Sequence, residues 1–146
     1  MNKDKLKHAL EDIISTCKDG VEGYETAAGE IMDDSIKTLF LRFSQQRKGF
    51  IEDLKNEALK LGIEPEDNST IKGFFHHTWM AARHTLGKNT REQTIAEAMD
   101  GEKKALEKYA SAHADMNIPQ YIQDILKEQE HLIKVAIHQL NGLLVE

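Results

Sequence analysis

The run Glu128-Gln129-Glu130-His131 carries the most suggestive spacing in the chain. Glu128 and His131 stand three apart, which on a helix puts a carboxylate and an imidazole close enough to share a metal ion. Iron, manganese or zinc suits such ligands. Di-metal helical bundles use this motif on two helices and one inward glutamate on each of the other two. Glu102 has the character of an inward glutamate, because it falls between Met99 and Leu106 on an apolar stripe. Tyr109 follows seven residues later on the same face. Glu25 sits on the flank of its own stripe. Glu102, Glu25, Glu128 and His131 therefore form one candidate metal set. A separate candidate is His77, Met80 and His84, which share a face off an apolar stripe at spacings that suit a soft metal.

A helix turns about 100° per residue, so each candidate can be placed relative to its apolar stripe. In the last helix Gln129 falls at the centre, Glu128 at the edge and His131 almost opposite. A solvated charged run is thus the plainer reading of Glu128 and His131. On the first helix the central inward residue is Val21, and on the second it is Gln46 or Arg47. Counted from the helix connections, Val21, Gln46, Glu102 and Gln129 lie at similar depth. This predicts one polar layer in an otherwise apolar core, with Glu102 accepting hydrogen bonds from Arg47 and the two amides. A buried carboxylate without such partners costs several kcal/mol or becomes protonated. Two outcomes stay open: a hydrogen-bonded layer in place of a metal, or a metal on Glu102 with Glu25 or Glu128. In the hydrogen-bonded case Glu102→Gln is expected to be nearly neutral and Glu102→Leu costly. Cys17, on the first stripe, is expected to be a buried, inert core thiol.

The elements that hold these residues are four long helices. The first runs from about Lys3 to Ile31, with Leu6, Leu10, Ile13, Cys17, Val21, Tyr24 and Ala28 stepping by three or four. The second starts at Asp33 or Asp34, either able to cap it, and ends at Gly62. A polar linker around Pro65 precedes a shorter amphipathic helix from Ser69 to Leu86. The third runs from a Thr90/Gln93 capping box to Ala114, and the fourth begins around Pro119. The short connections make each outer pair an antiparallel hairpin. The stretch from Ile63 to Asn89 can cross the ~40 Å length of such helices, which predicts one long crossover. Asp19-Gly20 and Asp100-Gly101 sit at matching depths, each followed by a tyrosine and alanines, a faint internal repeat.

Composition narrows the class. The chain of 146 residues holds 2 Pro and 9 Gly, is 40% hydrophobic and 30% charged, and fits a single all-α domain spanning residues 1–146. A net charge of −6 without a basic patch argues against nucleic acid or an anionic membrane. No run approaches the ~20 apolar residues of a membrane span. The single cysteine suits a reducing compartment, and a cytoplasmic protein is expected.

Several segments taken together resemble a small bacterial ferritin-like four-helix-bundle family of unknown function. They are Cys17-Lys18-Asp19-Gly20-Val21-Glu22-Gly23-Tyr24-Glu25-Thr26-Ala27-Ala28, Gln45-Gln46-Arg47 with Phe50 and Leu54, Leu61 to Asp67, Trp79-Met80, and Gly101-Glu102. The likeness extends more distantly to rubrerythrins and bacterioferritins. It implies a ferritin-like antiparallel bundle with a long crossover carrying a short extra helix, and an association with stress-response proteins. It supplies no reaction. Against the di-iron proteins the chain departs at Val21, Gln46, Gly49, Gln129 and Leu132, which argues against oxidase or iron-storage activity. A non-enzymatic structural or interaction module with a degenerate di-metal site is therefore the leading expectation, with a homo-oligomer, a dimer, as its assembly; the alternative is a protein that binds iron, manganese or zinc, with oxidase or metal-handling activity.

Overall fold

The computed structural model describes residues 2–66 and 91–144. The expected short helix at Ser69–Leu86, the Thr90 cap, and His77, Met80 and His84 lie outside these residues. Four helices make up the described chain: α1 (Lys3–Glu30), α2 (Asp34–Lys60), α3 (Arg91–His113) and α4 (Gln120–Leu144). No strand occurs among the described residues, and none of these helices is long and apolar enough to cross a membrane.

Local chemistry sets the helix ends. Asn2 caps α1 by accepting the Lys5 N–H at 3.1 Å, and Asp33 caps α2 by accepting the Ile36 N–H at 3.1 Å. Gly62 stops α2 with φ of 74°. The Ile63 N–H reaches back to the Ala58 carbonyl at 2.9 Å, and the Gly62 N–H to Leu59 at 3.0 Å. That paired bonding is a Schellman motif, and it needs a left-handed residue that glycine supplies without strain. Pro119 precedes α4 and its carbonyl accepts the Gln123 N–H at 3.0 Å.

α1 packs against α2 and α3, and α4 against α3 and α2, so the helices stand at the corners of a square. Two contacts give the direction of α3. Cys17 meets Tyr109 and Tyr24 meets Glu102, so rising numbers in α1 face falling numbers in α3. Arg91, at the start of α3, bonds the Leu143 carbonyl near the end of α4 and sits 3.9 Å from Asp33 at the start of α2. α2 and α3 therefore run the same way along opposite edges.

The interior has two apolar clusters. One is built on Leu6, Leu10, Ile13, Phe50, Leu54, Ile122 and Leu126. The other is built on Tyr24, Ala28, Ile36, Phe40, Ile95, Ala136 and Leu140. Burial of such side chains contributes roughly 1.5–3 kcal/mol each. Between the clusters lies a band of polar side chains.

Candidate functional site

Arg47 and Glu102 are the centre of that band. They are 2% and 1% exposed, although charged groups are almost never buried so fully unless paired. The guanidinium meets the carboxylate through two parallel bonds, Nη1 to Oε1 at 2.5 Å and Nη2 to Oε2 at 2.6 Å. The Tyr24 hydroxyl donates to Oε2 at 2.6 Å. The Arg47 Cζ lies 5.8 Å from the Tyr24 ring centroid and 5.6 Å from that of Phe50, so two aromatic faces flank the cation. α1 passes close by at Gly20, where a Cβ would stand 3.6 Å from Nη1, an ordinary van der Waals contact.

The protonation states follow from burial and pairing. Burial works against the charged guanidinium, but the Glu102 charge and its hydrogen bonds outweigh it and hold Arg47 above its ordinary value. Burial, then the Glu102 charge, pushes the Tyr24 hydroxyl well up. The site is an ion pair with a neutral phenol donating to it.

A second group lies alongside. The Tyr109 hydroxyl donates to Gln129 Oε1 at 2.7 Å, and the Gln129 amide donates to the Phe50 carbonyl at 3.3 Å. Cys17 Sγ lies 3.4 Å from the Tyr109 oxygen. Because Tyr109 spends its proton on Gln129, the thiol is the donor to Tyr109. Burial pushes the Cys17 thiol up to about 11 and also raises Tyr109 well above its ordinary value. The chain Cys17–Tyr109–Gln129–Phe50 touches all four helices without a formal charge.

The residues singled out from sequence separate clearly in space. Arg47, Glu102 and Gln129 are buried together in the band. Gln46 is half-buried at its edge and touches Arg47 Nε at 3.4 Å. The amides do not bond Glu102; Tyr24 does, because its hydroxyl reaches the carboxylate from α1. Glu25 is exposed and paired with Lys48 at 3.2 Å, and Glu128 and His131 are exposed on α4. The structure does not bring these three to Glu102, since the phase of each helix turns them outward. Among the described residues no cluster of three His, Cys, Asp or Glu side chains is placed to hold a metal ion.

Sequence reasoning missed Tyr24 as a ligand of Glu102. The signal was present: Cys17 and Tyr24 stand seven apart, the same spacing as Glu102 and Tyr109. It also missed Asp19, which is 6% exposed and whose Oδ1 has no hydrogen-bond partner among the described residues. Burial, then the Glu22 charge, pushes its carboxyl up to about 7 against the opposing pull of Lys104.

Among the described residues the fold and band define an all-α protein in which four helices pack around a buried ion pair. Residues 5–115, most of the chain, match the family described as Domain of unknown function (DUF2383), and the protein belongs to that family. The matched stretch holds Cys17, Tyr24, Arg47, Glu102 and Tyr109, whereas Gln129 lies beyond it. No curated protein matches the chain.

Proposed function

We propose that the protein is a ferritin-like bundle acting as a non-enzymatic structural or interaction module, associated with stress responses and assembling with its own kind. The place a di-metal site would take is filled by side chains bonded to one another. One observation carries the reading: both oxygens of Glu102 are occupied by Arg47 and Tyr24. A cation bound there would have to displace a bidentate guanidinium of like charge. The other central positions, Val21 and Gln129, offer no anionic donor. The shared direction of α2 and α3 on diagonal edges supports the ferritin-like connectivity, since it calls for one long crossover.

Elemental analysis tests the reading, on protein purified without chelator or affinity tag and on its Glu102→Ala variant. The expected result is no stoichiometric iron, manganese or zinc in either. Near-stoichiometric metal in the parent, lost in Glu102→Ala, would overturn it and make the bundle centre a metal site. Metal retained in Glu102→Ala but lost in His77→Ala and His84→Ala would equally overturn it and move the site to those histidines. Light scattering tests the assembly, with a homodimer expected.

A further inference from the structure

The band is built twice. In α1 Cys17 precedes Tyr24 by seven residues, and in α3 Glu102 precedes Tyr109 by seven. The two helices face each other antiparallel, so Tyr24 reaches Glu102 and Tyr109 reaches Cys17. The central residues of the remaining helices are Arg47 on α2 and Gln129 on α4, both 2% exposed. By spacing and position Cys17 corresponds to Glu102, Tyr24 to Tyr109, and Arg47 to Gln129, with one difference: Arg47 bonds the Glu102 carboxylate, whereas Gln129 bonds the Tyr109 hydroxyl.

Each half brings together three groups from three helices, the charged half around the Glu102 carboxylate and the neutral half around the Tyr109 hydroxyl. Tyr24 belongs to one apolar cluster and Tyr109 to the other. One half is charged and the other neutral. The charged half joins α2 to α3, which lie diagonally and share no direct helix packing among the described residues. The neutral half spans α3, α1 and α4.

We propose that this band sets the register of the bundle, and that it is made of two interchangeable half-sites, one of which must hold a carboxylate–guanidinium pair. Apolar stripes are a weak guide to register, because burial is non-directional and the stripes repeat every three or four residues. A slide by one turn, about 5.4 Å, keeps much of the apolar contact. The same slide breaks both Arg47–Glu102 bonds at once and leaves two charges in an apolar interior. A two-pronged bond between diagonal helices thus selects one alignment. Cys17 and Gln129 fill the equivalent half with groups that bond but do not exclude alternatives. This inference stands on the band's geometry and does not need the ferritin-like reading.

Three proteins test it: the parent, a neutral-band variant (Arg47→Gln with Glu102→Cys), and a relocated variant. The last adds Cys17→Glu and Gln129→Arg to the neutral pair, moving the charges to the other half. Each is followed by size-exclusion chromatography with light scattering, thermal melts and amide chemical-shift dispersion. The neutral-band variant is expected to lose its single species, its dispersion or its fold. The relocated variant is expected to regain one species, a cooperative melt and dispersed shifts. A neutral-band variant indistinguishable from the parent would overturn the requirement for the charged pair. A relocated variant no better than the neutral one would overturn the equivalence of the halves.

Discussion

At the residue scale the buried ion pair changes what a substitution at Glu102 does. An amide in place of the carboxylate keeps the shape but leaves the Arg47 charge uncompensated at 2% exposure. Breaking one side of such a pair costs about 3–5 kcal/mol, whereas replacing both partners by apolar groups of similar volume is often neutral or stabilising. Glu102→Gln is therefore expected to lower unfolding free energy by about 3–5 kcal/mol, and Arg47→Met with Glu102→Leu to recover most of that free energy without restoring the single register that the charged pair selects. Urea titration of the two variants checks this, and a Glu102→Gln protein as stable as the parent would show that the charges are not coupled as described. The sequence alone pointed to near-neutrality for Glu102→Gln, because it treated the layer as amide-like hydrogen bonding. Spacing places Arg47 and Glu102 in one layer, but only the rotamers reveal two parallel bonds.

Asp19 gives a pH dependence of known sign. Its folded value of about 7 lies above the ordinary 3.8, so the fold favours the neutral carboxyl. Its contribution is complete below the unfolded value and is lost as pH rises through 7. Asp19→Asn, which is neutral throughout, is expected to melt higher than the parent above pH 7. The gap should close towards pH 4. Melts across that range settle it, and a gap that does not change with pH would mean the carboxyl is not titrating there.

At the element scale the helices were largely legible. The first two boundaries fall within a residue or two of those expected, because their signals are local: Asp33 as a cap and Gly62 as a left-handed stop. The inward phase of α4 was also readable, since Gln129, Ile133, Ala136 and Leu140 keep one stripe. The outward turn of Glu128 and His131 follows from that phase. What could not be read was the α1–α3 pairing, which depends on the sliding register of two helices rather than on either one. The roles of Tyr24 and Cys17 were hidden with it.

Two glycines on or beside α2 should respond oppositely to the same change. Gly49 lies mid-helix with nothing within 4 Å of where a Cβ would stand, while Gly62 has φ of 74°. Gly49→Ala removes a flexible helix interior residue and is expected to stabilise by about 0.5–1 kcal/mol. Gly62→Ala forces an L side chain into the left-handed region and is expected to cost about 1–2 kcal/mol. Paired urea titrations read both. Equal effects would mean that the end of α2 does not rely on the Schellman geometry.

At the scale of the whole molecule, α4 closes the square. The family match ends at residue 115, yet both apolar clusters draw on α4: Ile122, Leu126 and Ile133 in one, Ala136 and Leu140 in the other. Burying the four large aliphatics among them contributes on the order of 6–12 kcal/mol at roughly 1.5–3 kcal/mol each. That is comparable with the ~5–15 kcal/mol by which a domain is stable at all. Gln129 is also the acceptor for the buried Tyr109 hydroxyl, which without it keeps only the weakly bonding Cys17 thiol. A chain cut after Asp115 is therefore expected to lose its cooperative melt, or to recover one only by pairing its open face with a second copy. Circular dichroism melts at several concentrations, with light scattering, separate these two outcomes. A melting point that climbs with concentration marks the pairing, because association then supplies the buried surface that α4 provides in the intact protein. A monomer that still melts cooperatively would show that α1–α3 form a self-sufficient core, and that the polar band needs only its charged half to hold it.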